Sequence, residues 1–149
     1  LAEQLIAAGF DLSKPTVFTL EGVSQYITKE AVSSTIEELA TLTQETSSTF
    51  FISYVDELLE KDPEACFGKG YPNPVKRAEA IKSLSAKFGE PWISFYTAEE
   101  MASVLSRNGY SIKENVTLED LNAQYFTPVG RTLPENHLFK LEHFVVADG

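Results

Sequence analysis

Few residues in this chain are of a type that does chemistry, and their spacing removes most of the usual options. His137 and His143 stand six apart near the carboxyl end, and Cys66, the only cysteine, lies far from both. That is not the spacing of a metal site, so no metal is expected. Gly22-Val23-Ser24-Gln25 lacks the second glycine of a nucleophile elbow, which argues against serine hydrolase chemistry. Gly68-Lys69-Gly70 looks like a fragment of a phosphate loop, but no apolar strand leads into it and prolines follow where a helix should begin; it reads as a turn. What remains is Glu21-Gly22, a carboxylate and a flexible glycine directly behind the apolar run Thr16–Leu20. Glu21 has two readings: a solvated acid that ends a strand or caps the next helix, or a carboxylate facing a ligand at the carboxyl end of a strand, where open α/β sheets bind their ligands. Tyr26 divides the same way, into a core aromatic or a ring lining a pocket. Trp92, between Pro91 and Ile93, reads as packing.

The elements that would hold these residues follow from periodicity. Thr16–Leu20 is β-branched and apolar on both faces and too short for a helix, the profile of a strand in a sheet covered on both sides. Ahead of it, Leu1, Leu5 and Ala8 share a helical face that Gly9 ends. After it, Thr28 caps a helix over residues 29–43, with Val32, Ile36, Leu39 and Ala40 on one stripe and Glu37 and Glu38 toward water. A second apolar strand, 49–55, completes a right-handed parallel crossover unit. Residues 56–91 break this rhythm with turns at Asp62-Pro63 and 68–74, then a helix over 75–87 carrying Ala78, Ile81 and Leu84, with Phe88 beyond. This stretch reads either as a lid-like insertion over the carboxyl edge of the sheet or as a plain structural hairpin. Thr97 and Glu100 have the capping-box form, opening a helix that buries Met101, Val104 and Leu105 and stops at Asn108-Gly109. A strand over 110–115, a short helix from Thr117 to about Tyr125 and a final strand over 138–147 close the chain.

Composition bounds the rest. One domain's length of chain, 149 residues, is enough to bury a sizeable core. A net charge of -10 argues against nucleic acid and anionic membrane surfaces as partners, because phosphates would be repelled. A lone cysteine fits a reducing, cytoplasmic setting, and no run reaches membrane-spanning length.

Gly9-Phe10-Asp11 ahead of Pro15-Thr16, followed by Glu21-Gly22-Val23 and Tyr26-Ile27, resembles the "GFD-x-x-x-PT" and "EGV-x-x-YL" segments of the leucine carboxyl methyltransferase-like family of S-adenosylmethionine-dependent O-methyltransferases. Residues 97–108 with Gly109-Tyr110 are similar to that family's late helix and "GF" strand entry, and Glu142-His143-Phe144 to its terminal strand. The resemblance implies a Rossmann-like class I methyltransferase fold, an α/β sheet ordered 3-2-1-4-5-7-6, of which this chain would supply strands four to seven. It would then be a single partial domain over 1–149, a carboxyl-terminal half with residues 56–91 as the lid. The glycine-rich cofactor loop, the ribose-binding acid and the adenine contacts are expected upstream of Leu1. The resemblance also implies that Glu21 and Gly22 meet the cofactor side and that Tyr26 lies on the substrate side, with a carboxylate or hydroxyl as methyl acceptor.

On that reading the isolated chain is expected to bind S-adenosylmethionine weakly or not at all and to be inactive alone. The alternative is a non-catalytic half-domain acting as a homo-oligomeric or interaction module. Either way, the edge of Thr16–Leu20 is expected to pair with another chain, a second copy in a homodimer or the missing amino-terminal half.

Overall fold

The computed structural model describes residues Leu1–Gly149. Its organising unit is a parallel pair. Strand β1 (Thr16–Leu20) aligns with β2 (Ser48–Val55) in the register Phe18 to Phe50 and Leu20 to Ile52, and α2 (Lys29–Leu42) makes the crossover. The Thr28 side chain accepts the Ala31 amide at the start of α2, as its cap position predicts. The remaining strands, β3 (Ser111–Thr117) and β4 (Glu142–Asp148), run antiparallel to one another, and β4 inserts between β3 and β2. The sheet order β1-β2-β4-β3 is the one expected of strands four, five, seven and six.

One face of the sheet carries the core. Phe50, Ile52 and Tyr54 of β2 and Val145 and Ala147 of β4 are buried against Val32, Ile36 and Leu39 of α2 and Met101, Val104 and Leu105 of α6 (Ala98–Arg107). Phe18 and Leu20 of β1 and Leu5 of α1 (Ala2–Ala7) pack at its margin. Helix α6 starts with the predicted capping box, Thr97 and Glu100 each accepting the other's backbone amide. A second cluster forms at the carboxyl end of β2, where Val55, Leu59, Cys66, Phe67, Ala78 and Phe95 come together. It is built largely from α3 (Leu58–Lys61), α4 (Pro63–Cys66) and α5 (Pro74–Lys87).

Three expectations need correction. Strand β1 is not covered on both faces: Thr16, Phe18 and Leu20 turn inward, while Thr19 is exposed and Val17 is 68% exposed. The reason is that the helices of this chain pack on one face only at that end of the sheet, and β1 is an edge strand with β2 its sole neighbour. The final strand begins at Glu142 rather than at residue 138, because residues 135–137 form a single 3₁₀ turn and Lys140 bonds back to the Cys66 carbonyl instead of joining the ladder. The third strand runs to Thr117, two residues past the predicted end, with a bulge between Ile112 and Glu114 that absorbs the register change. The short helix α7 (Leu118–Leu121) follows, its start held by the Asp120 carboxylate, which accepts from the Thr117 amide and hydroxyl.

Candidate functional site

Both parallel strands end in an acid at the same edge of the sheet. Glu21 follows β1 and Asp56 follows β2, and the two have opposite fates. Glu21 is exposed, and its carboxylate makes no hydrogen bond or ion pair within the chain. Gly22 next to it sits at φ +66, a conformation that only glycine takes without strain, and a Cβ there would meet nothing within 4 Å. The turn is therefore open above and anchored below: the Gly22 amide donates to the Ser53 hydroxyl at 2.9 Å, and the buried Ser24 hydroxyl donates to the Ser53 carbonyl at 2.8 Å. Ser24 is thus a structural tie, in keeping with the absence of a nucleophile elbow.

Tyr26 closes the short 3₁₀ turn Ser24–Tyr26 with its ring partly exposed, edge-on to Trp92 at 6.3 Å between centroids. The buried Gln25 fixes this pairing, its carbonyl accepting from the Ile93 amide at 2.7 Å. The structure therefore brings Glu21, Gly22 and Tyr26 to one end of the sheet, with Trp92 against Tyr26. Gly68-Lys69-Gly70 is the turn its sequence suggests. Gly68 is required there by close approach, since a Cβ would fall 2.2 Å from the Glu135 carbonyl.

Asp56 is buried and fully engaged. Its carboxylate accepts from the Leu58 amide at 2.8 Å and faces Nε2 of His143 at 2.9 Å. The imidazole stacks on Tyr54 at 4.8 Å, and its Nδ1 lies 3.0 Å from Asn115 Oδ1, while Asn115 Nδ2 donates to the Tyr54 hydroxyl at 3.2 Å. Burial holds the His143 ring below its ordinary value of 6.5 against the pull of Asp56 and Asp120, so the neutral ring prevails. A neutral ring that donates from Nε2 to Asp56 must accept at Nδ1. That requires the Asn115 amide turned over from this orientation, with its NH₂ toward His143 and its carbonyl toward Tyr54. Burial also pushes the Tyr54 hydroxyl up to about 12, which keeps it a donor. With both ring nitrogens occupied, His143 is no free base. It ties β4 to the end of β2 and to β3.

Sequence reasoning did not find this network. The available signal was Asp56 itself, an acid ending an apolar strand as Glu21 does; its partner lies 87 positions away and only the sheet register unites them.

The parallel crossover, the β1-β2-β4-β3 order and the open acidic turn at the carboxyl edge define an α/β domain of the class I methyltransferase fold. Solved structures agree on the fold. A DUF574 family protein from Streptomyces avermitilis superposes with a TM-score of 0.61 at 15% identity, covering 98% of this chain and 50% of that one. The mycolic acid cyclopropane synthase CmaA1, solved with SAH and CTAB, gives 0.55 at 12%, covering 95% and 56%. Residues 1–40 match the family model described as leucine carboxyl methyltransferase. The putative S-adenosyl-L-methionine-dependent methyltransferase YktD of Bacillus subtilis (strain 168) is 34% identical over 125 residues, which is 84% of this chain and 38% of YktD. Over residues 1–40 the chain is thus similar to the leucine carboxyl methyltransferase family, and it spans well under half the length of this curated relative.

Proposed function

We propose that this chain is the acceptor-side half of an S-adenosylmethionine-dependent O-methyltransferase, acting on a carboxylate or hydroxyl group in the cytoplasm. The observation that carries the reading is the Glu21-Gly22 turn, exposed and unobstructed at the carboxyl end of a parallel crossover, with Tyr26 beside it. These residues fit one side of the cofactor: a free carboxylate for a cation and an open glycine turn that leaves room for a ligand. When bound, S-adenosylmethionine supplies a methyl group on a cationic sulfur for in-line displacement.

The contribution of this chain is electrostatic and steric. Glu21 favours positive charge near it, and the Tyr26 ring adds a weaker attraction. Helices α3 to α5 act as the lid, which keeps water from the reacting centre. An ionised carboxylate acceptor needs only positioning. A hydroxyl acceptor needs a proton taken away, and Glu21 is the local group for that role.

Amide shifts on titration with S-adenosylhomocysteine test the reading. Weak, millimolar shifts centred on Glu21 and Gly22 are expected, and shifts centred elsewhere count against it. Micromolar affinity would count against the chain being only a half.

The open edge of β1 favours a second reading, a non-catalytic module that pairs with a copy of itself. Light scattering separates the possibilities. A dimer with slow exchange at the Val17 and Thr19 amides supports the module, and a monomer with rapid exchange there counts against it.

A further inference from the structure

Helix α5 carries an apolar stripe longer than the core it packs on. Ala78 is buried and Ile81 is half-buried in the cluster at the end of β2, but Leu84 and Phe88 continue the same face while 56% and 75% exposed. Opposite them stand Tyr26 and Trp92, held edge to face by the bonds that tie Gln25 to the 93–94 backbone. Between the two walls lies a pocket of about 310 Å³, near the lower end of the volumes that small-molecule sites occupy. Its walls are apolar and aromatic, and its single charged lining residue is Glu90. The Trp92 indole N–H has no acceptor within the fold, so packing alone fixes that ring. The wall nearest the sheet begins four residues after Gly22, on a segment bonded to β2.

We propose that this pocket is the subsite for the body of the methyl acceptor, and that the acceptor is an uncharged aromatic hydroxy compound of about one ring. The assignment rests on the methyltransferase reading above and sharpens it. Two aromatic walls at right angles suit the face and edge of a flat ring. The volume admits one ring with a short chain. Glu90, with no cation among the lining residues, opposes a carboxylate at the same place and selects the hydroxyl from the two acceptor types.

Trp92 is the only tryptophan, so its emission reports on this pocket alone. The probe is 4-propylphenol, titrated without any methyl donor and read by tryptophan emission excited where phenols absorb little. A saturable shift with a dissociation constant of about 0.1–1 mM is expected for a ligand of this size. The anionic analogue 4-propylbenzoate is expected to bind several-fold more weakly, with Glu90→Gln closing the gap.

Leu84→Asp is expected to weaken 4-propylphenol binding about tenfold. Because Leu84 is exposed, the melting temperature should stay unchanged, and Phe88→Ser provides a second exposed variant with the same expected direction. No saturation, equal affinity for the two probes, or indifference to Leu84→Asp overturns the proposal. So does a concentration-dependent emission shift without ligand that Leu84→Asp abolishes, since a second copy would then fill the patch. A silent titration sinks the pocket and leaves the Glu21 and Gly22 reading intact, whereas saturation with S-adenosylhomocysteine shifts centred away from Glu21 and Gly22 sinks that reading and not the pocket.

Discussion

Replacing His143 tests whether the buried Asp56–His143 contact is a tie between neutral and charged partners or an ion pair. The two side chains are only 13% and 11% exposed, so water replaces little of what is removed. His143→Ala loses a hydrogen bond to a charged group, about 1.5–3 kcal/mol, and the stack on Tyr54, about 0.5–1.5 kcal/mol. Asp56 keeps the Leu58 amide, which limits the damage, so a loss of about 2–4 kcal/mol is expected in urea unfolding at pH 8. His143→Gln keeps part of the bond and should lose less.

The pH dependence carries the sharper test. The folded value of His143 lies below 6.5, so as pH falls through that point the unfolded chain takes up a proton that the native ring refuses. Stability from this group is complete above 6.5 and is lost on acidification, by at most about 1.4 kcal/mol per pH unit. A glutamine does not titrate, so the stability gap between the natural chain and His143→Gln should narrow from pH 8 to pH 5.5. A gap that widens on acidification would mean the ring gains its proton in the fold and pairs with Asp56 as a cation, refuting the neutral network. A gap that stays constant would refute the shift itself.

Other consequences follow from single contacts. Thr97→Ala removes the cap of α6 and should cost about 1 kcal/mol in urea unfolding with an unchanged slope; an unaltered midpoint would show that Glu100 and its bond to Lys29 suffice. Gly68→Ala forces a Cβ onto the Glu135 carbonyl, a backbone atom with little room to yield, so a loss at or above the usual overpacking cost of about 1–3 kcal/mol is expected, with faster amide exchange at 137–138. Burial pushes the Cys66 thiol up to about 12, so a disulfide reagent should label it only as fast as the chain opens. Fast, complete labelling in native buffer would contradict the burial.

What was legible in the sequence was local. The limits of β1, the Thr28 cap, the Thr97 and Glu100 box and the Gly109 stop all depend on neighbours within a few residues, and all stand as read. What escaped depends on partners distant in sequence. The lone histidines could not be paired before the register of β2 and β4 set Tyr54 opposite His143. Nor could periodicity tell where the stripe on α5 would outrun its cover, because Leu84 looks like Ile81 until the packing on each is known. Trp92 reads as packing from its neighbours in sequence; its ring does join the second cluster, and it also walls the pocket.

The same distinction explains β1. Its pattern, apolar on both faces, describes a strand between two helical layers, and the structure supplies one layer at that point. The misreading concerned what this chain covers, since the pattern on the open face is shared by its neighbours. Phe51 and Phe144 stack there at 6.4 Å, and Val146 lies opposite Phe51 in the ladder, each partly exposed. A one-layer sheet facing water should alternate apolar with polar side chains, yet Val17, Phe51, Phe144 and Val146 put an apolar patch on the outer face across three strands, with Thr19 and Thr49 beside it. The edge of β1 and the outer face therefore make the same demand, for a strand along one side and a packed layer over the other. A partner that only added a strand would leave Phe51 and Phe144 in water. An occupant that brings a strand with helices attached meets both demands, and the proposed cofactor half is one such occupant.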